Sequence, residues 1–142
     1  MSRPSIRQRL AAGDRLLLDG AMGSELQCRG VFLSHGVTDE GKLGPWSATA
    51  LRDAPETVRQ VHEDYLYAGA DIHTTNSFWT NSVKLGMVGL ADQAEAYTRL
   101  AAELAVEARD RLNPDAYVAG GMAPPGGGGD RFLDGLIEVG DK

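Results

Sequence analysis

Two kinds of segment alternate along this chain: short apolar or β-branched runs without helical period, and longer stretches whose apolar residues recur at spacings of three and four. Leu16, Leu17 and Leu18 form a continuous apolar run that stops at Asp19, which predicts a strand over 16–19 covered on both faces. Gly20 and Gly23 read as a tight turn, and Ser24 and Glu25 as the first turn of a short helix over about 23–29 that ends at Gly30. The run Asp53-Ala54-Pro55-Glu56 combines a capping acid, a proline near the first helical position and a first-turn acid, so a second helix opens there. Val58, Val61, His62, Tyr65, Leu66 and Gly69 give it one face to pack on a sheet, with His62 as a hydrogen-bonded structural histidine and Gly69 as the stop. Residues 70–76 are short and β-branched, a second strand. A helical piece over 81–85, broken by Gly86 and Gly89, precedes the longest helix, 91–112. Its buried stripe is Ala94, Tyr97, Ala101, Leu104, Ala105 and Ala108, and Asn113-Pro114 ends it. Residues 116–122 make a third strand.

The segments between are less regular. Residues 1–12 read as a basic amphipathic lead-in, with Ile6 and Leu10 one turn apart, packing over one end of the fold. No period holds over 31–44, a surface loop able to fold over the strand ends, and His35 within it reads as a solvated histidine. Trp46 is expected to be a packing anchor, with a lid role as the alternative. Cys28 reads as a small, half-buried side chain on the first helix. Gly126 to Gly129 form a flexible loop, and 123–142 a loose tail with one or two poorly anchored helical turns.

Strand, helix, helix, strand, helix, strand is the β/α order, whose crossovers force parallel pairing and gather distant loops at one edge. An open parallel sheet and the first part of a (β/α)8 barrel both satisfy it. The turn after the first strand lacks the GxGxxG spacing of a dinucleotide fold. A full barrel needs eight strands and about 250 residues, and this chain of 142 residues offers three.

Composition narrows the partners. A net charge of −6 with scattered basic residues argues against nucleic acid or an anionic membrane and for a small polar ligand. No apolar run approaches a membrane span and the first ten residues lack a secretory apolar core, so a cytoplasmic location is expected. Cys28 is the single cysteine, so neither an intrachain disulfide nor a cysteine cage for a metal can be closed from this chain.

Candidate chemistry sits at the carboxyl ends of the strands. Asp19 tips the first. Thr74, Thr75, Asn76 and Ser77, followed by Phe78 and Trp79, tip the second; they read either as a pocket wall or as a polar turn capping the next helix.

Three stretches carry a resemblance: LLLDGAMGSELQCRG (16–30), WSATAL (46–51) with the following Pro55, and HEDYLYAGADIHTTNSF (62–78). They resemble, in order and spacing over about 15–125 apart from a longer loop before Trp46, the DGAMGTEL turn, the WSA segment and the H-x-x-Y-x-x-AGAD-x-x-x-TNTF block of the homocysteine S-methyltransferase family. The resemblance implies an α/β fold, the first three βα units of a (β/α)8 TIM barrel with parallel strands. It implies that Asp19 receives the amino group of homocysteine and that backbone N–H groups around Gly20 and Ala21 hold its carboxylate. Thr75 and Asn76 would line the same pocket, with Trp79 where some members place an aromatic.

In this family zinc, held by three cysteines, turns the homocysteine thiol into a thiolate that accepts a methyl group. Those cysteines belong to an N-C pair and a GGCC-type turn on later strands; neither motif occurs here, and Cys28 matches none of the positions. The run AGGMAPPGGGG (119–129) also departs from the usual GS-x-GP strand end. Two functional readings follow. In one, the chain is the N-terminal, homocysteine-binding part of a methyltransferase whose remaining barrel supplies zinc and the methyl-donor face. In the other it is a non-catalytic module that pairs with itself or binds small amino acids, since three parallel strands leave open edges. A different barrel enzyme with Asp19 as general base is a third class, without a recognisable acid–base partner.

Overall fold

The structure, a computed structural model, describes residues 3–41 and 44–123, apart from the side chain of His35. The expected solvated His35, the glycine run at 126–129 and the tail beyond Ala123 lie outside the described residues.

The element order is α1 (Ile6–Ala11), α2 (Met22–Cys28), α3 (Ala50–Asp53), α4 (Pro55–Tyr67), β1 (Ile72–Thr74), α5 (Ser82–Gly86), α6 (Ala94–Leu112) and β2 (Tyr117–Ala119), with single 3-10 turns at Leu33–Gly36, Trp46–Thr49 and Ala91–Gln93. Strands β1 and β2 pair in parallel, with Ile72 opposite Tyr117 and Thr74 opposite Ala119. The predicted first strand is reduced to one parallel bridge, Leu18 to Ile72. Main-chain bonds extend it by one residue each way, from Ile72 N–H to Leu17 O and from Asp19 N–H to Ile72 O. Three extended segments therefore lie side by side in chain order, as successive right-handed β/α crossovers require.

That first segment is not covered on both faces as the apolar run suggests. Leu17 and Leu18 are 56% and 60% exposed. Successive strand residues point to opposite faces, so among the described residues neither face of the sheet is covered at this edge.

The core lies on the helical side. Leu26, Leu33, Leu51, Val58, Val61, Leu85, Tyr97, Ala101 and Leu104 form one buried cluster between α2, α4 and α6, and Leu66, Ala108 and Ala116 a second beneath the strand starts. The stripes on α4 and α6 are those the three-and-four spacing predicts, because both helices bury the same face against each other and the sheet. Helix α4 begins at Pro55, but its cap is Ala54 without a side-chain bond; Asp53 ends α3 and is held by Arg52. Gly69, with φ of 103°, ends α4 as predicted. The irregular stretch over 31–44 is more than a surface loop, since Leu33 enters the core and Gly36 is buried.

The lead-in does pack over one end, through polar groups rather than an apolar face: α1 buries no residue and Leu10 is 55% exposed. Instead Arg9 bridges Asp14 and Asp71, Asp71 accepts from Leu17 N–H, and Arg3 lies over the Tyr117 ring. The Leu17 amide, and after it Arg9, hold the Asp71 carboxyl below its usual range.

Between α4 and β1 two histidines meet. His62 and His73 are both fully buried, with Nδ1 atoms 3.2 Å apart and rings edge to face. Two facing Nδ1 atoms can bond only if one ring carries its proton there and the other does not; when both rings are neutral they are therefore in different tautomers. Burial, with His73 as neighbour, pushes His62 down to about 3, and burial depresses His73 as well. The unfolded chain takes up protons below about pH 6.5 that the folded chain refuses. Stability is therefore expected to be full above pH 6.5 and to fall steadily toward pH 3, by up to about 1.4 kcal/mol per pH unit per excluded proton. Urea unfolding across this range checks it; a flat profile would contradict the neutral pair.

Candidate functional site

The main-chain ladder between the first segment and β1 ends at Asp19. A parallel register would next send Thr74 N–H to the Asp19 carbonyl; instead it donates to the Asp19 carboxylate, Oδ2, at 2.7 Å, while Thr74 Oγ1 donates to Oδ1 at 3.2 Å. The side chain replaces the backbone acceptor, and the backbone is free to leave the sheet. Each carboxylate oxygen keeps acceptor capacity, and Asp19 is half-buried. Gly20 and Ala21, which follow, are exposed, and among the described residues their amides have no acceptor.

Gly20 and Gly23 are not turn glycines in the sense the sequence suggests. Neither has a positive φ. They are required by close approach: a Cβ on Gly20 would lie 2.7 Å from the Tyr65 hydroxyl, and one on Gly23 would lie 2.6 Å from the Trp46 ring. Tyr65 donates to Ala21 O at 3.0 Å, so α4 holds the turn after Asp19 from below. Burial, then the nearby carboxylates of Glu25 and Asp19, pushes the Tyr65 hydroxyl up, which keeps it a donor.

Trp46 is the packing anchor expected of it. Its φ of 40° is in the left-handed region, rare for a bulky side chain. Gly36 makes room, since a Cβ there would come within 2.4 Å of the Trp46 backbone. The turn that follows is tied down by Thr49 Oγ1 donating to Trp46 O.

Thr75 and Asn76, both predicted to line a pocket, are buried and turn their polar atoms into the protein. Asn76 Nδ2 donates to Ser47 O at 2.9 Å and Oδ1 accepts from Ser47 Oγ at 3.2 Å. Ser77 Oγ donates to Gly121 O, leaving Thr75 Oγ1 to donate to Ser77 Oγ while accepting from Gly121 N–H, each bond 2.6–3.0 Å long. This closed ring fastens the end of β1 to the end of β2. The next helix is capped by neither residue but by Asn81, whose Oδ1 accepts from Lys84 N–H. Trp79 packs edge to face on Phe78, with Lys84 Nζ 4.2 Å from its ring, instead of joining the Asp19 turn.

Asp19, Gly20 and Ala21 thus form one constellation with Thr74, one of the strand-tip residues read as a pocket wall, and with Tyr65, which the sequence did not single out as a site residue. The signal for Tyr65 was present: it stands one turn after His62 on the face directed at the strands. An open cleft of about 550 Å³, lined by Ser34, Thr38, Arg52 and Leu90 among others, contains none of the predicted site residues.

The described residues do not fit the zinc that the resemblance implies. No three of His, Cys, Asp or Glu among them converge on a point. Cys28, expected half-buried, is exposed on α2, where its position faces water rather than the core. The two buried histidines spend their Nδ1 atoms on each other.

Parallel strands with crossover helices, and a polar constellation at the strands' carboxyl ends, define a β/α architecture. Within it, the chain belongs to the homocysteine S-methyltransferase family, whose profile matches residues 16–129. It is 38% identical over 128 residues to the homocysteine S-methyltransferase of Escherichia coli (strain K12), covering 85% of this chain and 39% of that protein. It is 35% identical to the homocysteine S-methyltransferase YbgG of Bacillus subtilis (strain 168), covering 78% and 36%. The crystal structure of the homocysteine methyltransferase MmuM from Escherichia coli, metallated form, superposes with a TM-score of 0.69 at 33% identity, over 89% of this chain and 43% of that one. The chain spans about two fifths of the length of these relatives.

Gly23→Ala tests the close approach. The Trp46 ring cannot retreat easily because its backbone is wedged against Gly36. A loss of about 1–3 kcal/mol in urea unfolding is expected, with a shift in tryptophan emission; unchanged stability and emission would contradict the contact.

Proposed function

We propose that this chain supplies the homocysteine-binding half of a methyltransferase barrel, residues 1–142 forming its N-terminal part and the first three βα units. The observation that carries the reading is the Asp19 carboxylate, held by Thr74 at the ladder's end beside two amides that have no acceptor among the described residues. A homocysteine ammonium on Asp19 gains a charge-assisted bond, and its carboxylate on the Gly20 and Ala21 amides satisfies donors that otherwise rely on water. The amino acid's side chain then runs toward the carboxyl end of β1, with the backbone held by Thr75 and Asn76 as one wall and Trp79 at the rim. The reaction of the complete barrel is methyl transfer to the homocysteine sulfur. Zinc would make that sulfur a thiolate in the complete enzyme; the described residues of this chain bind and orient the amino-acid end.

The partner in this reading is the remainder of the barrel. Its adjoining strand would pair with the open edge at Leu16–Leu18 and cover the two exposed leucines, which together bury enough apolar surface to stabilise docking by several kcal/mol, on the order of 2 per side chain. The same exposed edge is what favours the second reading, a module that pairs with a copy of itself or binds small amino acids without catalysis.

Titration calorimetry with homocysteine separates these ideas. Asp19→Asn is expected to weaken binding at least ten-fold, the worth of one charged hydrogen bond, and Thr74→Val to weaken it less because the Thr74 amide remains. Equal affinity in all three proteins would sink the assignment of Asp19. Methyl transfer is expected only after the remaining barrel is added, and light scattering of this chain alone reads self-pairing directly.

A further inference from the structure

The buried histidine pair has no place in the proposed binding of homocysteine, yet it lies directly behind the residues that hold the Asp19 turn. His62 is on α4 three residues before Tyr65, which packs on Gly20 and donates to Ala21 O. His73 is in β1 next to Thr74, which holds the Asp19 carboxylate through its amide and hydroxyl. The Nδ1–Nδ1 bond therefore joins the two elements that grip the turn, one from each side.

The chemistry of the pair is unusual because both Nε2 atoms are buried without a partner among the described residues. In the neutral pair the donor ring has a bare Nε2 and the acceptor ring an Nε2–H. While the Nδ1–Nδ1 bond is kept, one added proton goes to the bare Nε2 of the donor ring, and the resulting imidazolium has an N–H with no acceptor among the described residues. Outside the pair, Asp19 on the first segment draws positive charge to His73, and Arg109 on α6 opposes it; His62 feels its partner alone. Separation of α4 from β1 would admit water to the cation.

We propose that His62 and His73 are positioning residues, forming a proton-operated brace that holds the Asp19–Ala21 turn while the pair is neutral and releases it when the pair takes up a proton. The turn is the one assigned above to the amino acid, and the brace regulates that site by acidity. Its release removes the Tyr65 cover from Gly20 and the Tyr65 bond to Ala21, and slackens Thr74 against Asp19.

The test reads nuclei of this chain without ligand, so it stands or falls separately from homocysteine binding. Long-range proton–nitrogen spectra of the uniformly labelled chain are expected to show, at pH 7, one of the two rings with its proton on Nδ1 and the other on Nε2. On acidification both rings and the amides of Gly20, Ala21 and Thr74 are expected to change with one common midpoint, well below that of a free histidine. In His62→Phe/His73→Phe, which removes both polar partners at similar volume and keeps Asp19, the part of the amide response tied to the pair should vanish. Identical tautomers in the two rings, ring titration that leaves the turn amides unmoved, or the full amide response in the double variant would each overturn the proposal. Should the double variant not fold, the wild-type titration decides alone: a shared midpoint supports the brace and separate midpoints reject it.

Discussion

Where a parallel ladder stops, the last amide of one strand loses its acceptor while the neighbouring chain turns away. Here the loss is made good by a side chain: the Asp19 carboxylate takes the Thr74 amide and hydroxyl at the point where the Asp19 carbonyl would have served. A carboxylate can do this and still accept further bonds, whereas an amide oxygen or a hydroxyl would be closer to saturation. One interaction therefore closes the sheet, releases the backbone into the Gly20–Ala21 turn, and leaves a fixed negative charge at the sheet's edge.

Around that point the architecture depends on side chains that are absent. Gly20 admits the Tyr65 hydroxyl and Gly23 the Trp46 ring, and Gly36 admits the backbone of Trp46 in a conformation that a bulky residue rarely takes. The strained tryptophan is held by neighbours on several sides, as such a conformation must be. Asn76 binding Ser47, and the ring of bonds through Thr75, Ser77 and Gly121, carry the same fastening across the strand ends. These polar residues tie the strand ends to each other and to the turn at Ser47.

The core is one-sided. Helices α4 and α6 bury their stripes against each other and against one face of the sheet, and His73 faces them. At the Leu17–Leu18 edge neither face is covered among the described residues. Relatives more than twice as long share this stretch of fold.

Much of this was legible in residue order. The period of three and four on α4 and α6, Pro55 and Gly69 at helix ends, the β/α alternation and Asp19 at a strand tip all follow from local rules, because each depends on neighbours within a turn or two. Family membership was legible too, through three spaced motifs. What the sequence could not determine were distances between residues far apart in it. The roles of Gly20 and Gly23 were misread as turns, since only tertiary packing reveals a ring pressed on a Cα. The first strand shrank to a bridge and lost its cover, because a run of leucines specifies a wish to be buried and not the presence of something to bury it. Thr75 and Asn76 look alike as pocket wall or as fastening until the loops around Ser47 and Gly121 are placed beside them. The meeting of His62 with His73 likewise arises only when α4 folds back on β1, and burial, a property of the whole assembly, then keeps both rings neutral.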